Sequence, residues 1–157
     1  MSQAYVWPVR VYYEDTDHGG VVYYANYLKF MERCRTEFLR ARGLGQDVLI
    51  EKNDLIFAVR RIVTDYIKPA TFNDLLLVTA EVNQKSRVKI VFKQQVFIPL
   101  ADKELPSMGG YFDTIKNLID SCVLLCEAEV TIASLSASKM QPKRIPENIF
   151  EELMREH

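Results

Sequence analysis

The spacing of apolar positions changes twice in the first fifty residues. Residues 6–13 alternate, with Trp7, Val9, Val11 and Tyr13 on one side and Arg10 on the other, which predicts a strand. Pro8 suits an edge or the beginning of that strand, because it has no N–H to donate to a ladder. Residues 14–20 (Glu-Asp-Thr-Asp-His-Gly-Gly) read as a turn. The period then lengthens. Tyr27, Met31, Cys34 and Phe38 fall at i, i+4, i+7 and i+11, with Phe30 and Leu39 beside them and Lys29, Arg33, Glu37 and Arg40 on other faces. That is one long helix with a broad buried stripe, ending at Gly43. Residues 46–52 predict a short second helix.

Beyond it the chain is mostly strand. Residues 55–67 are rich in β-branched and aromatic side chains and stop before Lys68-Pro69. Leu76, Val78, Ala80 and Val82 share one face of a strand over 75–83. Val88, Ile90, Phe92, Val96 and Ile98 form the cleanest alternation in the chain, and Leu124, Cys126, Ala128, Val130 and Ile132 point inward from a strand over 123–135. Pro146 opens a short amphipathic helix over 146–155 that carries Ile149, Phe150, Leu153 and Met154. One strand, one long helix and four strands of antiparallel character make an α+β layer architecture, with the helix across one face of one sheet. The other face and the edges then need a cover, and the simplest cover is a second copy of the chain. Residues 100–121 break the regularity with Pro106 and Gly109-Gly110, an insertion between the last two strands in which residues 111–119 predict a turn or two of helix. No linker or repeat divides residues 1–157, so a single domain is expected.

Composition narrows the chemistry. The chain has 157 residues, with 20 Lys and Arg against 21 Asp and Glu. That balance gives no basic footprint, and no nucleic-acid partner is expected. Two histidines, His18 and His157, leave no multi-histidine metal site, and three cysteines without a Cys-x-x-Cys spacing read as reduced thiols. Residues 1–8 show no basic segment followed by an apolar one, and no apolar run approaches the roughly 20 residues that cross a bilayer. The expectation is a cytoplasmic protein whose chemistry rests on carboxylates, hydroxyls or backbone.

The strongest local signal is residues 13–27, in which Asp15 and Asp17 precede Gly19-Gly20 and the long helix. Free N–H groups at a helix start face an approaching anion or carbonyl oxygen, and a carboxylate held beside them can act on the carbonyl they polarise. On spacing alone, ordinary turn and helix-capping aspartates are the commoner explanation.

The segment WPVRVYYEDTDHGGVVYYANYLKFMERCRTEFLR resembles the signature region of hotdog-fold acyl-CoA thioesterases of the 4-hydroxybenzoyl-CoA thioesterase type. Within them it is most similar to the branch associated with the bacterial Tol–Pal cell-envelope system. The resemblance runs from Trp7 to about Ile98 and resumes from about Ala128 to Pro146, and its core is Asp15, Asp17, Gly20, Val22 and Tyr27. It implies a hotdog fold, in which an antiparallel sheet wraps one long helix. It also implies hydrolysis of an acyl-CoA thioester to a carboxylic acid and free coenzyme A, which is part of the substrate; no separate cofactor and no metal are expected. Carried over, the catalytic carboxylate falls on Asp17, as nucleophile or as the base that activates water, and the polarising backbone N–H falls on Tyr24. Gly20 opens the site and Asp15 orients the turn. Two subunits pair, active sites form between them, and a homotetramer of paired dimers is expected. Members of the branch often carry histidine where this chain has Tyr24, and a small residue where it has His18.

The coenzyme A phosphates call for surface cations. Lys85, Arg87 and Lys89 are the first candidates, and Lys139, Lys143 and Arg144 the second. Cys34, Cys122 and Cys126 read as packing residues, and Ser86 and Ser121 lack a histidine partner. A hotdog dehydratase is disfavoured because its catalytic histidine belongs to a different motif. The alternative reading is a weakly active or non-catalytic module, placed at the periphery of the inner membrane, that binds acyl carrier protein or phospholipid-synthesis enzymes.

Overall fold

Nine elements follow one another in the computed structural model, which describes residues 4–100, 110–111 and 120–155. They are β1 (Tyr5–Arg10), α1 (Asn26–Ala41), α2 (Gln46–Asn53), β2 (Leu55–Tyr66), β3 (Leu75–Lys85), β4 (Lys89–Pro99), β5 (Gly110–Tyr111), β6 (Cys122–Ser136) and α3 (Glu147–Met154). The strands make one antiparallel sheet in the order β2-β6-β4-β3-β1-β5. β5 lies within the insertion and returns to the outer edge of β1, pairing Tyr111 with Tyr5 and Gly110 with Val6. The helix expected within 111–119 starts on a strand residue, and its remainder lies outside the described residues.

α1 crosses one face of the sheet because its stripe meets the inward-facing positions of the strands. Phe30, Met31, Cys34 and Phe38 are buried against Leu76, Val78, Ala80, Phe92, Val96, Cys126 and Val130. The Phe38 ring stands edge-on to Phe92 at 5.4 Å and to Tyr5 at 6.1 Å. Burying each large side chain contributes about 1.5–3 kcal/mol, so this stripe, rather than helix propensity, holds α1 in place. The helix ends where the sequence predicts. Gly43 takes φ +72°, which lets the Gly43 N–H donate to Arg40 O at 3.0 Å and the Leu44 N–H donate to Leu39 O at 2.9 Å.

Three positions differ from the simple periodic reading. Tyr13 is not part of β1: it lies in a one-turn 3₁₀ segment and is 82% exposed. Val88 is exposed in the β3–β4 turn, and the strand begins one residue later. Gln94 occupies a core position on β4 and is fully buried. Its Nε2 donates to Met31 O and Thr79 O at 3.1 and 3.2 Å, and its Oε1 accepts from buried Arg35 at 2.8 Å. A polar residue is tolerated there because each of its groups finds a partner across the helix–sheet interface.

Candidate active site

The candidate site is built by the chain between β1 and α1. After β1, Tyr13–Asp15 form the 3₁₀ turn, and Asp15 is 4% exposed. One Asp15 carboxylate oxygen accepts from the Tyr12 N–H at 2.8 Å and the other from Asn26 Nδ2 at 2.9 Å. The Asp15 carbonyl accepts the Tyr23 N–H at 2.8 Å. Asp15 therefore ties the turn to the first residue of α1, and both its carboxylate oxygens are taken by the chain itself. Sequence reading placed Asp15 but missed Asn26; an amide at the first helical position, eleven residues after a buried acid, was the available signal.

Asp17 sits two residues beyond, in a narrow hairpin closed by the Thr16–Val22 bridge and anchored to Thr71 through Val21. Its N–H donates to Val21 O at 2.8 Å, and its own carbonyl accepts the Gly20 N–H at 3.0 Å. Gly20 adopts φ +82°, a left-handed conformation that any side chain would strain. The Gly19 N–H donates to Asp17 Oδ1 at 2.8 Å, which fixes the carboxylate; Oδ2 has no partner among the described residues. Asp17 is exposed. The two aspartates thus differ by environment, one sealed and structural, the other fixed and open.

α1 begins immediately after this hairpin. The Asn26 N–H donates to Tyr23 O, whereas the Tyr24 and Ala25 N–H groups find no acceptor among the described residues. Those free donors carry the positive end of a 16-residue helix. The Tyr66 hydroxyl donates to Tyr24 O at 2.9 Å, holding that peptide from the far end of β2. Tyr66 was not predicted as a site residue, and only the register of β2 against β6 brings it there. Its ring is edge-on to Tyr24 at 6.3 Å and to Tyr27 at 5.6 Å. Tyr23 packs on Tyr24 at 4.7 Å. Its phenol is held above its ordinary pKa, chiefly by the hydrogen bond with Tyr24 and, among smaller causes, by the charge of Asp17.

Two cavities flank this turn. One of about 610 Å³ is lined by Tyr13, Thr16, Asp17, His18, Gly20 and Phe72. The other, about 260 Å³, is walled by Tyr24, Tyr27, Tyr66, Ile67 and Pro69. A fixed carboxylate, unpaired helix-start donors and aromatic walls suit attack on a polarised carbonyl whose substituent is apolar.

Residues 19–99 match the Thioesterase superfamily. The acyl-CoA thioesterase YbgC of Haemophilus influenzae is 36% identical over 149 residues, covering 95% of this chain and 93% of that protein. The chain belongs to the Thioesterase superfamily. A probable thioesterase from Bartonella henselae has a similar structure, with 28% identity, a TM-score of 0.71, and coverage of 90% of this chain and 98% of that one. A 4-hydroxybenzoyl-CoA thioesterase variant complexed with 4-hydroxybenzoyl-CoA superposes with a TM-score of 0.79 at 12% identity, covering 96% of this chain and 98% of that one. This likeness identifies the sheet wrapped around α1 as the hotdog fold.

Within this superfamily member, the predicted residues fall into two groups. Asp15, Asp17, Gly20 and Tyr24 lie in the connection between β1 and α1, Asp17 and Gly20 lining the larger cavity and Tyr24 the smaller. Lys85, Arg87 and Lys89 do not join them. Thr71, which bridges Val21, precedes β3, whereas Lys85 is its last residue and Arg87 and Lys89 follow it, so the length of the strand, roughly 35 Å for eleven residues at ~3.3 Å each, lies between. Lys85 is exposed and Lys89 half-buried. Arg87 stacks on the Phe150 ring at 4.3 Å and lies 4.0 Å from Glu147, so it also fastens α3. In the second cluster Lys143 Nζ donates to the Asn53 and Asp54 carbonyls at the end of α2, while Lys139 and Arg144 are exposed. Among the described residues no three His, Cys, Asp or Glu side chains are grouped to hold a metal, and no helix is long and apolar enough to cross a membrane.

Proposed function

We propose that this chain hydrolyses acyl-CoA thioesters to a carboxylic acid and free coenzyme A. The observation that carries the reading is Asp17, one oxygen fixed by Gly19 and the other open, in the hairpin that leads into the unpaired N–H groups at the start of α1. In this reading the thioester carbonyl oxygen accepts from the Tyr24 N–H, which stabilises the negative charge that develops as the carbonyl carbon is attacked. Asp17 either attacks that carbon or takes the proton of an attacking water, and the two routes differ in whether an acyl-enzyme anhydride forms. The curated relatives named acyl-CoA thioesterase support the same substrate class.

A dimer completes the site. β2 is the sheet's open edge, and it exposes Val59, Val63 and Tyr66, with Ile67 just beyond, beside the smaller cavity. Pairing of two β2 edges would bring a second copy to that cavity and carry its Lys85, Arg87 and Lys89 towards the turn they cannot reach within one chain. The coenzyme A phosphates are assigned to that cluster, two such dimers pair into the tetramer, and the cytoplasm is the compartment this substrate implies.

The test is thiol release from a series of acyl-CoA substrates by the wild type and Asp17→Asn. Turnover lost in the variant, with its circular dichroism and oligomeric mass unchanged, is the expected result. Undiminished turnover in Asp17→Asn would falsify the mechanism. No hydrolysis of any acyl-CoA by the wild type would turn the reading to the binding module, for which acyl carrier protein is the ligand to titrate.

A further inference from the structure

His18 follows Asp17 directly and is the one histidine among the described residues. It occupies the second position of the turn that the Gly20 N–H closes onto Asp17 O at 3.0 Å. Asp17 and His18 line the same cavity of about 610 Å³, together with Thr16, Tyr13 and Phe72. Asp17 is tethered through Gly19, whereas His18 is exposed and no hydrogen bond among the described residues engages its ring. The site thus presents a fixed acid–base group and a free imidazole on one four-residue turn.

Thioester hydrolysis moves two protons, one off the attacking water and one onto the departing sulfur, and two groups on one turn can divide that work. We propose that His18 is the general acid that protonates the departing sulfur, an assignment that rests on the hydrolase reading above. In the general-base route, water adds to the carbonyl carbon and Asp17 takes its proton. The C–S bond then breaks with its electron pair going to sulfur, and the His18 imidazolium N–H transfers its proton to that sulfur, releasing coenzyme A as the thiol. His18 is left neutral and Asp17 protonated, and a proton passed from Asp17 to His18 through solvent restores both. A proton donor within reach of the sulfur lets coenzyme A leave as the neutral thiol rather than as the thiolate. The titratable groups facing the turn are Asp17 itself, the Tyr13 phenol in the same cavity, and Tyr23, which feels the Asp17 charge; Lys68 lines the adjoining cavity.

Leaving-group dependence provides the test. His18→Ala and His18→Gln are assayed in the full chain with one acyl group carried first on coenzyme A and then on 4-nitrothiophenol, whose acidic thiol leaves without a proton. Removing a general acid costs about 10²-fold or more. The expected result is a kcat on acyl-CoA lowered at least ~10-fold, a KM within ~2-fold of wild type, and unchanged kcat on the nitrothiophenyl ester. Equal losses on the two esters, a change confined to KM, or wild-type kcat on acyl-CoA each overturns the assignment. A wild-type protein inert towards both esters overturns the hydrolase reading and this one with it.

Discussion

Asp15 and Asp17 carry the same carboxylate two positions apart, and their hydrogen bonds give them opposite consequences when removed. Asp17→Asn keeps the shape and its Gly19 contact but no longer supplies a negative oxygen. A kcat loss of at least ~10²-fold with unchanged melting temperature is expected, read by thiol release and calorimetry. Asp15→Ala instead strands the buried Asn26 amide, at about 1–3 kcal/mol, and the part-buried Tyr12 N–H at less. Its melting temperature should fall by roughly 10 °C, since about 1 kcal/mol moves a domain of this size by ~2–4 °C. Activity should fall in parallel, because the start of α1 loses its anchor. Gly20→Ala forces an L side chain into φ +82°, costing about 1–2 kcal/mol. It is expected to lower kcat more than stability by displacing Asp17 within its hairpin, which the same two measurements separate.

Among the elements, α1 joins fold to chemistry, and Gln94 fastens it. Gln94→Leu fills the same space but leaves the Arg35 guanidinium, already pushed below its ordinary pKa by burial, without its acceptor. Unfolding in urea should show a loss of about 3 kcal/mol. The periodicity made α1, its stripe and its stop at Gly43 legible, because burial on one helix face and a left-handed glycine leave marks in the sequence itself. Gln94 was not legible as a fastener: in a strand pattern it reads as an interruption, and its three partners come from β3 and α1. Tyr66 escaped notice likewise, being placed by strand register rather than by its neighbours in sequence. Asp54, at the end of α2, accepts from the Ser136 and Ser138 hydroxyls and the Ser138 N–H, all distant in sequence. These bonds hold its carboxyl below its ordinary value, the Ser136 bond first. A lowered folded-state pKa means stabilisation that is present above the unfolded value near pH 4 and lost as the pH falls through the folded value. Asp54→Asn should flatten the acid limb of a stability–pH curve.

For the whole molecule, the proposed dimer rests on the open β2 edge. Val59→Lys with Val63→Lys places charge along that edge without touching the inward face of β2. Sedimentation should show the variant as a monomer, and acyl-CoA turnover should fall with the loss of the second chain. An unaltered mass would remove β2 from the proposed interface. The candidate residues at the start of α1 were legible in the motif over 13–27, and Lys85, Arg87 and Lys89 were legible as surface cations; how far these stand from Asp17 within one chain was not, because the length of β3 sets it.

The opposite margin of the sheet is finished differently. At β1, Tyr5 and Val6 are already paired with β5, and Pro8 brings no N–H to the remainder. A newcomer strand therefore meets a receptive border on one side and a closed one on the other. In the proposed dimer such a sheet counts to two: with both β2 borders joined, the margin left to each chain is the one where the return at Gly110 and Tyr111 already takes up Tyr5 and Val6. On that proposal the short return would act as a chain terminator, against growth of the apolar border into a ribbon.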